Sequence, residues 1–412
     1  MRTRLAEEVY YGWVIVVACF LAAGALFGLT YSFSVFFDAL AAEFAVPPAR
    51  ISLVFGVQTA VIYIGGVGLG RGLDRFGPRV LLAAGAVLLT GGMVVAARAE
   101  TYLGLVAGYG LATGLGMGCC YVVAYATVPR WFQRRRGLAT GIAAAGLGAG
   151  LLVVTPTASW LVAQVGWRGA FDALAVGLFC VLAFATYLLA AQPAAVGANR
   201  AREFVDGVET VGRDESVRKT VLSVPFLFVV LGWGGVYATL FVLVNHLVPF
   251  AGVLGVRGAG VTAISALGVG TSLARLVVGY TSDRTDRVAV FVACAALMAS
   301  CLLVLPLASS AAALIAVAVV YGVGYGGTGA LLSPFVADLF GVGDIGTLYG
   351  FASIAFAIAG LAAPPLATAG LGAVGDYTSV FLATGLVGLG GVAFVAAAGW
   401  TAPGGWRGRV DA

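Results

Sequence analysis

Charge is scarce in this chain. Only 10% of its 412 residues are Asp, Glu, Lys or Arg, and His246 is its one histidine. Soluble globular domains carry charge on about a quarter of their residues, so a solvated globular domain is excluded. One histidine, and no acidic cluster within the apolar stretches, leave little with which to hold a catalytic metal. The six cysteines (Cys19, Cys119, Cys120, Cys180, Cys294 and Cys301) lie in apolar stretches without metal-ligand spacing, and they read as small hydrophobes. No cofactor, no metal and no nucleic-acid partner is expected, and the chain does not read as an enzyme.

What is abundant is apolar surface. Hydrophobic residues make up 61% of the sequence, and 61 glycines suit closely packed helices in lipid. Apolar runs of the length needed to cross a bilayer fall at about 11–38, 50–73, 79–98, 102–129, 136–164, 167–190, 222–250, 257–281, 288–308, 312–339, 345–369 and 377–400. The expected fold class is an all-α membrane protein of twelve transmembrane helices. Arg2 and Arg4 precede a first run too long for a cleaved signal, so that run is expected to be retained.

The basic residues set the orientation. With the N-terminus in the cytoplasm, 18 of 23 Lys and Arg fall in cytoplasmic segments; Arg50, Arg98, Arg168 and Arg257 fall outside. This bias predicts both termini in the cytoplasm and a multi-pass protein of the inner, or plasma, membrane. Residues 191–221 form the one soluble-looking stretch, with room for a short amphipathic surface helix. They separate a first half, residues 1–190, from a second, residues 222–412.

The halves repeat. An offset of 209 carries Gly70, Asp74 and Arg75 onto Gly279, Asp283 and Arg284. It also carries Gly137 onto Gly346, Gly141 onto Gly350 and Pro156 onto Pro365. Two parallel six-helix halves place a binding site near the midplane where they meet.

Arg275 is the remaining cation, and the only one inside a long apolar run. An arginine near the bilayer centre costs about 2.5–3.5 kcal/mol on insertion scales, so it normally faces the bundle interior and marks a site. The bland alternative is a side chain that snorkels past Thr281, six residues or about 9 Å away. The repeat argues for function, because the equivalent of position 275 in the first half is Gly66.

The loop Gly70-Arg71-Gly72-Leu73-Asp74-Arg75-Phe76-Gly77-Pro78-Arg79 resembles the signature loop of the major facilitator superfamily. Glu8-Val9-Tyr10-Tyr11-Gly12-Trp13-Val14 is similar to the motif that opens the first helix of monocarboxylate transporters. Residues 131–146, Trp131-Phe132-Gln133-Arg134-Arg135-Arg136-Gly137 onward, resemble the start of that family's fifth span. Asn245-His246-Leu247-Val248-Pro249-Phe250 and Asp338-Leu339-Phe340-Gly341 look like bacterial members. The resemblance implies that Arg275 is the substrate-binding arginine. It also implies that Asp74, Arg75, Asp283 and Arg284 form charge pairs that gate the halves. Three positions depart from the family. Tyr31 stands where animal carriers have a lysine, Thr271 where they have an aspartate, and Phe356 where oxalate exchangers have a lysine.

One fixed guanidinium suits one carboxylate, which it can bind through two parallel hydrogen bonds. A second carboxylate would be left unpaired, at high cost. The candidate substrate-binding set is Arg275, Tyr121, Tyr325, His246, Asn245, Leu147, Phe356, Tyr31 and Cys120; Asp38 reads as an ordinary acid at a helix end, with a lining of the outer vestibule as the alternative. For the aromatic members, packing in a membrane helix is an equally good account. His246 reads either as an interfacial hydrogen-bonding residue or as a protonatable group near the outer gate. The expected protein is a monomeric secondary transporter of a small monocarboxylate of the lactate and pyruvate class, coupled to H+. Anion exchange of the oxalate/formate type and a non-transporting acid sensor are the alternatives. A drug/proton antiporter is disfavoured by the lack of charge between Tyr102 and Pro129.

Overall fold

A computed structural model describes residues 11–128, 131–132, 136–189, 213–281, 286–341 and 345–406. Among them every regular element is helical. Eleven helices are long and apolar enough to cross a membrane. The 50-residue stretch Ala139–Leu188 reverses at Gly166, whose φ of 71° breaks the helix, so it supplies two crossings and brings the spans to twelve.

Span one is Gly12–Tyr31 continued, after a break at Ser32, as Phe33–Phe44. It therefore runs beyond residue 38, where its apolar pattern was expected to end. Spans two and three are one run, Pro48–Ala97, divided at Gly77 with φ 82°. Positive φ is strained for any residue with a Cβ, and glycine at 77 and 166 lets the chain turn there with no loop. Span four is Tyr102–Leu105, a π-helical turn at Val106–Ala112 and Thr113–Ala126. Spans five and six make up Arg136–Leu188.

The short helix Arg213–Val221 precedes span seven, Val224–Val253. Then come span eight, Arg257–Thr281, span nine, Arg287–Val304, and span ten, Ala311–Phe340. Span eleven is Ile345–Ala352 continued as Ile354–Val374, and span twelve is Tyr377–Thr401. Polar residues mark several starts. The side chains of Ser223, Asp286, Ser310 and Asp376 each accept hydrogen bonds from the backbone N–H groups of the turn that follows. The N–H groups of Thr378 and Ser379 hold the Asp376 carboxyl below its ordinary pKa.

Twelve crossings return the chain to the side on which span one begins, the termini side. The first and last six spans meet along two crossings of small residues. Span five lies on span eight, where a Cβ on Gly268 would come within 2.7 Å of the Gly148 carbonyl. Ser272 Oγ also donates to the Ala145 carbonyl at 3.0 Å there. Span two lies on span eleven, where a Cβ on Gly56 would come within 3.0 Å of the Gly360 carbonyl and Thr59 packs on Gly360. Thr59 and Gly268 are 209 residues apart, so the two crossings occupy the same place in the sequence repeat.

The side away from the termini is closed. Ser52 Oγ and Thr368 Oγ1 are 2.6 Å apart, joining span two to span eleven. Arg257 Nη1 reaches Asp38 Oδ2 at 2.7 Å, joining span eight to span one. Asp38 is thus an ion-paired acid at the closed face. Two more cations expected there are paired as well, Arg98 with Asp172 and Arg168 with Glu43, both at 2.7 Å.

Candidate functional site

Arg275 projects from span eight into the interface between the first and last six spans and is 4% exposed. Its Nη1 donates to the Tyr125 hydroxyl at 3.1 Å and to the Ala144 carbonyl at 3.5 Å. The guanidinium carbon lies 5.7 Å from the centre of the Tyr325 ring. Its flat face rests on Gly329, where a Cβ would sit 2.6 Å from Nη2. The Nε donor is buried with no partner. No described acidic residue pairs with the group. A buried guanidinium with a donor to spare and no described counter-charge has the chemistry to accept an anion.

Around it runs a closed circuit of rings. Tyr125 meets Tyr121 at 5.1 Å between centres, Tyr121 meets Tyr63 at 5.4 Å, and Tyr63 meets Phe356 at 5.1 Å. Phe356 meets Tyr237 at 4.5 Å, Tyr237 meets Tyr325 at 6.0 Å, and Tyr325 meets Tyr31 at 6.3 Å. Phe27 closes the circuit, 5.7 Å from Tyr31 and 6.4 Å from Tyr125. Spans one, two, four, seven, ten and eleven all contribute. Two hydroxyl pairs tie the first six spans to the last six: Tyr31 to Tyr325 at 2.8 Å and Tyr121 to Tyr349 at 3.2 Å.

The structure thus brings Arg275, Tyr31, Tyr121, Tyr325 and Phe356 together. Leu147 is buried on span five, one turn after Ala144, and Cys120 is buried beside Tyr121. Thr271 does not face the arginine; its hydroxyl donates to the Gly322 carbonyl at 3.2 Å and ties span eight to span ten.

His246 and Asn245 lie elsewhere. They stand eight and nine residues past Tyr237 on span seven, about 12–14 Å toward the closed side. Asn245 Nδ2 donates back to the Phe241 carbonyl of its own helix at 3.1 Å. His246 Nε2 is 3.1 Å from Thr368 Oγ1, with its ring near Phe37 and Tyr377, so it extends the Ser52–Thr368 contact.

Of the gating set, Arg75 is exposed, 5.3 Å over the Phe76 ring. The backbone of Asp74 is helical, and Asp283 and Arg284 lie outside the described residues.

Sequence reasoning missed Phe27, Tyr63, Tyr125, Tyr237 and Gly329. Tyr125 carried a usable signal, because it stands one helical turn from Tyr121 and so shares its face. The others show nothing in sequence that separates them from ordinary packing residues.

A bundle of twelve helical crossings with a buried cation, unpaired by any described acid, between its first and last six spans has the construction of a membrane transporter. Comparison with known proteins agrees. The family model described as Major Facilitator Superfamily matches residues 18–364 and 257–405. Monocarboxylate transporter 11 of Homo sapiens is 31% identical over 91% of this chain and 80% of its own length. Monocarboxylate transporter 13 of Bos taurus is 27% identical over 91% and 86%. Monocarboxylate transporter 2 of Rattus norvegicus is 26% identical over 92% and 81%. The chain belongs to the major facilitator superfamily and, within it, to the monocarboxylate transporter family. It is a transporter, not an enzyme.

Proposed function

We propose that the chain is a secondary transporter that moves small monocarboxylates, lactate and pyruvate among them, with a proton by alternating access. The observation that carries this reading is the buried guanidinium of Arg275 at the interface between the first and last six spans, with Nε free and no described acid beside it. A bound carboxylate would occupy the free Nε and an adjacent Nη donor, giving a pair close to neutral. The loaded carrier can then reorient without moving net charge through lipid, whereas an empty one strands a buried cation. A proton that enters with the anion keeps the cycle electrically balanced. Phe356, packed among Tyr63, Tyr237 and Trp233, gives a second carboxylate no counter-charge, which supports singly charged substrates over oxalate.

The two repeats would rock about the crossings of span five on eight and span two on eleven. The distribution of Lys and Arg supports a cytoplasmic termini side, which makes the closed face the outer one. Plasma-membrane placement, a monomeric unit and gating by Asp74, Arg75, Asp283 and Arg284 belong to the same reading. His246, the one imidazole, sits where opening of that face would expose it and is the first candidate for a proton-responsive group.

The experiment is uptake of labelled lactate into proteoliposomes. An inward proton gradient should accelerate it, a protonophore should abolish the acceleration, and His246→Gln should blunt it. Arg275→Lys keeps the charge but not the two-pronged donor, so uptake should fall at least about a hundredfold, and Arg275→Ala should abolish it. Normal uptake by both arginine variants would refute the site. Uptake that ignores the gradient but rises with acid preloaded on the far side would make the protein an exchanger.

A further inference from the structure

We infer that the circuit of rings around Arg275 reads the tail of the substrate and selects flat, apolar aryl monocarboxylates over hydroxy acids such as lactate. The inference rests on the reading of Arg275 as the partner of the carboxylate and adds what lies at the other end of the molecule.

Eight side chains from six spans make the circuit, and every one is an aromatic ring. Tyr63, Tyr121 and Tyr125 lie deep between the helices yet keep accessible surface, while Phe27, Tyr31, Tyr237, Tyr325 and Phe356 are buried. Ring faces and edges therefore make up the surroundings of the guanidinium on this side. Neighbouring rings meet at tilted or edge-on angles, from 42° between Tyr121 and Tyr125 to 85° between Phe27 and Tyr125. A guest ring can meet such a wall edge to face, as aromatic pairs prefer.

The hydroxyls decide between tail classes. Those of Tyr31 and Tyr325 bond to each other, and those of Tyr121 and Tyr349 do the same. The Tyr237 hydroxyl donates to Thr328 Oγ1 at 3.2 Å, and that of Tyr125 accepts from Arg275. Only Tyr63 keeps a hydroxyl bonded to no described residue.

A pocket built for a 2-hydroxyl or 2-keto oxygen leaves buried polar atoms partnerless when empty, and that is how it rejects analogues lacking the oxygen. In the circuit and its arginine the one such atom is Arg275 Nε, which the carboxylate takes. Trp233 Nε1 is also partnerless, but it lies outside the circuit, packed against Phe291, Phe335 and Phe356. Apart from the Tyr63 hydroxyl, the polar capacity of the site is thus spent on the carboxylate, and the rest of its lining is aromatic.

The test uses the purified full chain in proteoliposomes. Acetate, lactate, benzoate and phenylacetate compete against counterflow of labelled lactate, and thermal unfolding in detergent reports binding independently. Half-inhibition by phenylacetate should need a concentration at least about tenfold below that of lactate, and phenylacetate should raise the unfolding temperature further. Tyr63→Ala and Phe356→Ala should each shrink that ratio, with acetate as the reference ligand. Equal or tighter binding of lactate would overturn the inference while leaving the proposed function standing. Discrimination that persists in Arg275→Ala would reflect partition of the apolar acids into lipid, and it too would overturn the inference. Failure of every monocarboxylate to bind would refute both readings.

Discussion

At the scale of single residues, the site depends on what is absent beside Arg275 as much as on what surrounds it. Gly329 shows this most directly. A methyl group there would sit 2.6 Å from Nη2 and 3.1 Å from Cζ, inside the contact distance of either atom. The guanidinium is the mobile end of a long side chain, so it would yield before the helix did. Gly329→Ala is therefore expected to leave stability within about 1 kcal/mol of the parent while raising KM for labelled lactate at least about tenfold. An unchanged KM would show that the guanidinium does not need this seat.

The arginine itself was legible in the sequence because charge inside an apolar run is costly and rarely accidental. Tyr121 and Tyr325 were legible through their spans, and Tyr31 and Phe356 through the family resemblance. Tyr63, Tyr237 and Phe27 were not, because aromatic residues fill membrane helices everywhere and only packing between helices decides which face the site. Asn245 and His246 lie at the closed face, not beside the arginine, and for His246 that agrees with its reading as a group near a gate.

Among the elements, apolar length was enough to find every span, since a helix in lipid must satisfy its own backbone. The breaks were harder. Gly77 and Gly166 are two of many glycines, and sequence alone does not show which one turns the chain. The interruption of span one at Ser32 and the π-helical turn in span four have no sequence mark that we can identify.

The crossing of spans five and eight rests on a contact between small residues that can be tested. A Cβ on Gly148 would collide with the Gly268 carbonyl and with Ser272 Oγ, one of them rigid backbone. Gly148→Val should therefore cost about 1–3 kcal/mol through overpacking and lower the unfolding temperature in detergent. Gly141, seven residues earlier on span five, has open space around its Cα. Gly141→Ala should leave stability unchanged or raise it by about 0.5–1 kcal/mol, the helix preference of alanine over glycine. Equal unfolding temperatures for the two variants would show that the crossing is looser than the geometry implies.

For the whole molecule, the question is what keeps the face away from the termini shut, and whether it opens during transport. The Arg257–Asp38 pair is about half exposed on both partners, and exposed pairs contribute only about 0–1 kcal/mol. It cannot be the main fastening. Ser52, Thr368 and His246 are all buried, Thr368 is hydrogen-bonded to both others, and the His246 ring lies near those of Phe37 and Tyr377. Bonds in so dry a place are lost only when the spans separate and water enters.

If alternating access is the mechanism, Ser52 and Thr368 must part in every cycle. Their hydroxyl oxygens are 2.6 Å apart, so cysteines at both positions come within reach of a disulfide. Ser52→Cys combined with Thr368→Cys should, once oxidised, hold this face shut, stop net uptake of labelled lactate and raise the unfolding temperature. Reductant should restore uptake, and each single variant should be indifferent to oxidant. That control is needed because the chain already carries six cysteines, of which Cys180 is exposed. Full uptake by the oxidised double variant would mean that the substrate crosses without this face opening. The passage would then have to be sought through a different pair of helices.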